Sequence, residues 1–131
     1  MQTRPLSPHL SVYRMYRYSL ATSIANRFTG VALSAGLLLL VYWLMAVAGG
    51  ARSYARATHV LSLPLAKLVY AALIVAFSYH LVAGLRHLVW DTGHGLERAQ
   101  SQKSAWLVIA VSLILMLVIA CRAWLTGAQA P

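Results

Sequence analysis

Length, composition and charge indicate a membrane protein and leave little room for a soluble domain. The 131 residues are 60% hydrophobic and only 10% charged, whereas about a quarter of the residues of a soluble domain are charged. The net charge is +9, but the basic residues are divided between the two sides of the predicted membrane spans, so we do not read them as a nucleic-acid surface.

The N-terminal segment, residues 1–21, is predicted to be an irregular or short amphipathic segment in the cytoplasm. Pro5 and Pro8 disfavour a helix locally. Tyrosines and arginines follow them, and such side chains are favourable at the level of the lipid headgroups.

Three stretches without Asp, Glu, Lys or Arg follow, at residues 28–51, 68–85 and 104–121. At about 1.5 Å per residue, each covers most or all of a hydrocarbon core roughly 30 Å thick. We therefore predict transmembrane helices at about 22–49, 64–90 and 104–125, in a single membrane-anchor domain over 1–131. Gly49 and Gly50 end the first helix, a loop continues to about Ser62, and Pro64 suits the first turn of the second helix.

The distribution of the basic residues predicts the orientation of the chain. By the positive-inside rule, the side with more Lys and Arg faces the cytoplasm. Seven basic residues fall on the side of the N-terminus and four on the other: Arg4, Arg14, Arg17, Arg27, Arg86, Arg98 and Lys103, against Arg52, Arg56, Lys67 and Arg122. We expect a multi-pass protein of the bacterial inner membrane with a cytoplasmic N-terminus.

One face of the second predicted helix carries most of the unusual chemistry. His80, Gly84, His87 and Asp91 are spaced i, i+4, i+7 and i+11. An ionisable side chain within the membrane usually faces a partner, a cavity or a cofactor, and Gly84 leaves the helix backbone open to a flat macrocycle. The pattern suggests a haem pocket with His80 as axial ligand and His87 near the haem carboxylates. The alternative is a hydrogen bond from His80 to a neighbouring helix.

A second candidate site lies at the cytoplasmic end of the first helix. Ser23 and Arg27 are four residues apart and therefore share a helix face. A hydroxyl and a guanidinium there would suit a ligand with carbonyl groups that enters from the bilayer. The alternative is that Arg27 extends to the headgroups and Ser23 caps the helix.

Three motifs in this order resemble the cytochrome b556 subunit of succinate dehydrogenase, over about residues 4–44 and 76–97. They are Arg4-Pro5-Leu6-Ser7-Pro8-His9 with Tyr13; Ser23-Ile24 through Arg27-Phe28-Thr29-Gly30-Val31-Ala32-Leu33; and Tyr79-His80 through Gly84, Arg86-His87, Trp90-Asp91 and Gly93. One departure is Asn26, because many members of the family have a histidine immediately before the arginine.

The resemblance implies an all-α fold, in which three transmembrane helices form half of a heterodimeric haem-binding membrane anchor. His80 would be one axial ligand of haem b, and a small companion membrane subunit would supply the other. Ser23 and Arg27 match residues that line a ubiquinone site, and Asp91 matches an acidic residue near it that holds the arginine. Arg27 and His87 would also lie near the haem carboxylates.

The implied function is that of a membrane subunit of succinate dehydrogenase, which is not catalytic alone. FAD and iron–sulfur clusters would be held by a flavoprotein subunit and an iron–sulfur subunit, and electrons from succinate would reduce ubiquinone. Two alternatives remain: a fumarate reductase subunit that uses menaquinone, and a structural anchor without haem. A transporter is disfavoured because the first and third helices offer almost no polar path.

Overall fold

The computed structural model describes residues 17–127, and over this range the chain is all-α. It contains four helices: α1 (Arg17–Ala48), α2 (Ala51–Leu61), α3 (Pro64–Asp91) and α4 (Arg98–Gly127). Most of the predicted N-terminal segment, including its two prolines, lies outside the described residues.

Three of the helices are long and apolar enough to cross a membrane, which confirms the prediction of three spans. The candidate spans are Leu20–Ala48, Pro64–Asp91 and Arg98–Thr126, of 29, 28 and 29 residues. At about 1.5 Å per residue each exceeds a hydrocarbon core of roughly 30 Å, so the helix ends reach the headgroups. Large apolar side chains point outwards along all three, and Phe28, for example, is 73% exposed. In a bilayer these surfaces face lipid or other membrane chains.

The connection between the first two spans is a helix and not the predicted loop. After Gly50, whose φ of 82° is accessible to glycine, α2 runs from Ala51 to Leu61. The sequence predicts a loop here because this segment has no long apolar run. Its alanines and arginines nevertheless favour a helix, and one face is buried at Ala57 while Arg52 and Arg56 stay exposed.

Glycine and proline set the remaining helix boundaries. Pro64 occupies the first turn of α3, where a missing N–H leaves no hydrogen bond unmade. Beyond Asp91, Gly93 and Gly95 adopt φ values of 80° and 76°, and the chain turns back into α4.

The α3 helix is the centre of the bundle, since it packs against both α1 and α4, whereas α1 and α4 contact each other less. The buried apolar side chains are small: Ala46, Ala57, Ala76, Ala83, Ala105 and Val108. Gly36 on α1 lies so close to α3 that an added Cβ would be 2.7 Å from Leu73 Cδ2. Close approach through small residues is how helices associate in lipid, where burial of apolar surface gives little driving force.

Gly36 therefore offers a test of the packing of α1 against α3. Gly36→Val should force the two helices apart and lower the free energy of unfolding by about 1–3 kcal/mol, as expected for overpacking. Thermal denaturation in detergent would measure it. Ala35→Val is the matched control, because Ala35 is exposed. Equal melting temperatures for the two variants would contradict the close contact.

Candidate functional site

His80 lies on α3 and directs its ring towards α1. Its Nδ1 atom is 3.2 Å from the backbone oxygen of Asn26 and 3.2 Å from Thr29 Oγ1. Asn26 and Thr29 are one turn apart on α1, so the imidazole edge rests against a single turn of that helix. The ring is half-buried.

These contacts determine which ring nitrogen carries the proton. A backbone carbonyl can only accept, so the Asn26 contact requires a proton on His80 Nδ1. The Thr29 hydroxyl is 2.9 Å from the Ala25 oxygen; its hydrogen is thus engaged on its own helix, and its oxygen is a second acceptor for Nδ1–H. Nε2 then keeps its lone pair. A histidine whose Nδ1–H is held by a carbonyl presents Nε2 as a metal ligand.

A groove of about 680 Å³ opens beside His80, between α1 and α3 and with Ile119 of α4 at its edge. Its wall is largely apolar, with leucines from α1 and Leu73, Ile74 and Phe77 from α3. Ligand pockets typically have volumes of about 300–1,000 Å³ and a few polar groups in an apolar lining. The groove is therefore large enough to take a planar apolar ligand beside the imidazole.

Gly30, rather than Gly84, is the glycine that the His80 ring contacts. A Cβ at Gly30 would be 3.1 Å from His80 Cε1, and Gly30 also lines the groove. Gly84 is not among the lining residues, and a Cβ there would meet no described atom within 4 Å. Gly84 stays a prediction as the place where a flat macrocycle lies against α3. Spacing along α3 does not reveal Gly30, because Gly30 comes from the neighbouring helix.

The other residues of the predicted α3 face lie nearer the end of the helix. The His87 ring stacks on Trp90, with centroids 5.4 Å apart, and Asp91 is exposed. By helical rise, His87 lies roughly 10 Å from His80 along α3. It is therefore near the polar end of the bundle, away from the groove beside His80.

Ser23 and Arg27 lie on the part of α1 that also contacts His80. Ser23 is half-buried and Arg27 is exposed. Within residues 17–127, no hydrogen bond or ion pair joins Arg27 to Asp91, so the expected contact between them is not made in this chain alone. Among the described residues, neither the Ser23 hydroxyl nor the Arg27 guanidinium has a hydrogen-bond partner.

Arg86 belongs to the third motif of the sequence analysis, but the sequence did not predict its contacts. Its side chain is only 8% exposed, and it donates to hydroxyl or carbonyl oxygens of Thr22 on α1 and of Ser101 and Ser104 on α4. Its guanidinium lies 4.0 Å from the centre of the Trp90 ring. The sequence signal for these contacts is the presence of hydroxyl residues near the start of α1 and of α4, at the same end of the bundle as Arg86.

Two buried polar atoms have no partner among the described residues: Asn26 Oδ1 and Ser112 Oγ. Buried polar groups are nearly always hydrogen-bonded, so each is a place where a molecule outside this chain could donate or accept. Asn26 is the more informative of the two, because its backbone oxygen already contacts His80.

Comparison with known proteins shows the family. Residues 1–119 match the family described as succinate dehydrogenase/fumarate reductase transmembrane subunit. The chain belongs to this family.

Individual relatives extend over most of the chain. The succinate dehydrogenase cytochrome b556 subunit of Paracoccus denitrificans is 45% identical over 112 residues, which cover 86% of this chain and 85% of the relative. The corresponding subunit of Rickettsia felis is 34% identical over 116 residues, covering 88% and 90%. The human mitochondrial cytochrome b560 subunit is 37% identical over 113 residues, covering 85% and 66%. Family membership and three apolar helices together describe a multi-pass membrane protein.

The contact between Gly30 and His80 generates a prediction about the groove. Gly30→Ala should displace the imidazole, because the new Cβ would lie 3.1 Å from His80 Cε1. If haem binds beside His80, the visible absorption spectrum of the purified complex should shift or the content of bound haem should fall. Gly84→Ala is the comparison, with a smaller expected effect. The opposite order of effects would indicate that a macrocycle lies against Gly84.

Proposed function

We propose that this chain is the membrane-anchoring cytochrome b subunit of a succinate:ubiquinone oxidoreductase, with His80 as an axial ligand of haem b. The observation that supports the proposal is the hydrogen bonding of the His80 ring, which leaves Nε2 unprotonated. Its Nδ1 is held by the Asn26 carbonyl, while its Nε2 is left as an acceptor beside a largely apolar groove. Neutral imidazole of this kind is the ligand that haem iron takes.

The residues present fit a haem. The groove volume of about 680 Å³, the glycine at the ring edge and the leucine-rich wall suit a flat apolar macrocycle. When bound, haem would supply a centre that accepts and donates single electrons. The protein would orient the haem and exclude water from it. It would also keep the ring proton of His80 on Nδ1, hydrogen-bonded to the backbone oxygen of Asn26.

A second chain is needed to complete the ligation. His87 lies on the same helix as His80 and its ring stacks on Trp90, so it is not positioned for the opposite face of a ring bound at His80. The second axial ligand would therefore come from a small companion membrane subunit, in a heterodimeric anchor.

Ser23 and Arg27 would form this chain's part of a ubiquinone site at the cytoplasmic end of α1. Arg27 is exposed and Ser23 half-buried, so both can reach a ligand that enters between this chain and an iron–sulfur subunit. A guanidinium beside a quinone oxygen would stabilise the negative charge that builds there on reduction, and more strongly where water is scarce. Asp91 would join the site only on assembly.

The complete enzyme would include a flavoprotein subunit with FAD and an iron–sulfur subunit with its clusters. These would sit on the cytoplasmic face of a bacterial inner membrane, beside the N-terminus of this chain. His87 and Arg27 lie outside the groove and would contact only the haem carboxylates, which would project from the groove towards the polar end of the bundle. In this arrangement the chain links succinate oxidation to the respiratory chain and is not catalytic by itself.

The haem assignment is tested by separating His80 from His87. In the assembled complex, His80→Leu should abolish the low-spin haem spectrum or replace it with that of a substitute ligand. His87→Leu should leave ligation intact and change only the reduction potential or the haem content. Reduced-minus-oxidised spectra and haem assays of both variants give the answer. A normal spectrum in the His80 variant, with its loss in the His87 variant, would reverse the assignment.

The quinone assignment is tested by removing the cation. Arg27→Leu should lower succinate-to-ubiquinone activity at least about tenfold, corresponding to roughly 1.4 kcal/mol of lost transition-state stabilisation. Succinate oxidation by an artificial soluble acceptor should persist, because those electrons leave before the quinone. Ser23→Ala should act in the same direction.

Arg52→Leu is the control for this test. Arg52 is an exposed arginine on α2, which follows the C-terminal end of α1 and is therefore far from Arg27. It should reduce ubiquinone at the parental rate. Parental rates in both the Arg27 and Ser23 variants would favour the alternative in which these residues only face the headgroups.

A further inference from the structure

Arg86 connects all three membrane-spanning helices at one end of the bundle. Its Nε donates to Ser104 Oγ at 3.0 Å and its Nη1 to Thr22 Oγ1 at 3.2 Å. Its Nη2 donates to the oxygen of Ser101 at 2.9 Å and to Ser101 Oγ at 3.2 Å. From α3, the guanidinium therefore donates hydrogen bonds to both α1 and α4.

The groups that Arg86 binds are neutral. Hydroxyl and carbonyl oxygens surround it among the described residues, and Trp90 covers its face at 4.0 Å. A planar guanidinium offers five N–H donors in a fixed fork, whereas the three donors of a lysine ammonium all radiate from one nitrogen. The arrangement therefore depends on the shape of the side chain as well as on its charge.

Thr22 is the point where this cluster meets the proposed quinone site. Its hydroxyl accepts from Arg86, and its backbone oxygen accepts from the Tyr79 hydroxyl at 2.9 Å. Ser23 is the next residue, and Arg27 lies little more than one turn further along the same helix. Two side chains of α3 thus hold the turn of α1 from which Ser23 and Arg27 project.

Apolar packing contributes little to the position of this turn. Ile24 and Phe28, which flank it, are 41% and 73% exposed. In lipid, burial of such side chains gives no net drive to helix association, so polar contacts between helices carry more of the specificity.

We propose that Arg86 is a positioning residue for the quinone site: by holding Thr22 against α3 and α4, it sets where Ser23 and Arg27 meet the quinone. This rests on the proposed function. Arg86 would act through Thr22 and not by contact with the quinone, since its side chain is buried, covered by Trp90 and hydrogen-bonded to α1 and α4.

The test uses the complete complex, expressed with its partner subunits. Arg86→Lys keeps the charge but not the fork, and Thr22→Val removes only the acceptor hydroxyl from a side chain of the same shape. Both should raise the KM for a short-chain ubiquinone, by about fivefold or more for Arg86→Lys and less for Thr22→Val. The haem spectrum and succinate oxidation by an artificial acceptor, per flavin, should be unchanged. Lys103→Gln removes an exposed cation near the same membrane face and should leave the KM unchanged.

A purely structural role for Arg86 would lower the yield of assembled complex without changing the KM of what assembles. If Arg86→Lys does not assemble, Thr22→Val alone decides. An unchanged KM in the variants that assemble, beside a loss of quinone activity in Arg27→Leu, would overturn the positioning role only. Parental quinone activity in Arg27→Leu would overturn the proposed site and the positioning role together.

Discussion

The hydrogen bond from His80 Nδ1 to the backbone oxygen of Asn26 is the constraint on which the rest of the candidate site depends. It joins α3 to α1 at 3.2 Å and assigns the ring proton to Nδ1. It thereby fixes three things together: the register of the two helices, the direction of the imidazole and the availability of Nε2. The close approach at Gly30 makes the contact possible, because any side chain there would meet the ring.

A few polar contacts are enough to set how the helices pack against one another, because apolar surroundings favour no particular register. Small residues allow α3 to approach its neighbours, and the contacts of Tyr79, His80 and Arg86 then select one register. Large apolar side chains face outwards and provide the surface for lipid and partner chains. The groove beside His80 belongs to this outward surface.

The parts of this structure that sequence could predict are those that depend on one helix at a time. Runs without charged residues predicted three spans, and the cost of an ionisable group in the membrane singled out His80. The structure departs from prediction where two helices meet. Nothing in the α3 sequence indicates that Gly30 abuts His80, or that Arg86 reaches Thr22 and Ser104. The helix α2 was missed for another reason, since its stability comes from helix-favouring residues without a long apolar run.

At Asn26, the backbone and the side chain have different roles. In the family resemblance, this position is often a histidine, and an asparagine side chain cannot carry a positive charge. The bond to His80 uses the backbone oxygen, however, and any residue that keeps the α1 helix would supply it. Orientation of His80 is thus independent of the departure. The side chain instead leaves a buried Oδ1 atom without a described partner, so Asn26 can accept a hydrogen bond where histidine would bring a charge.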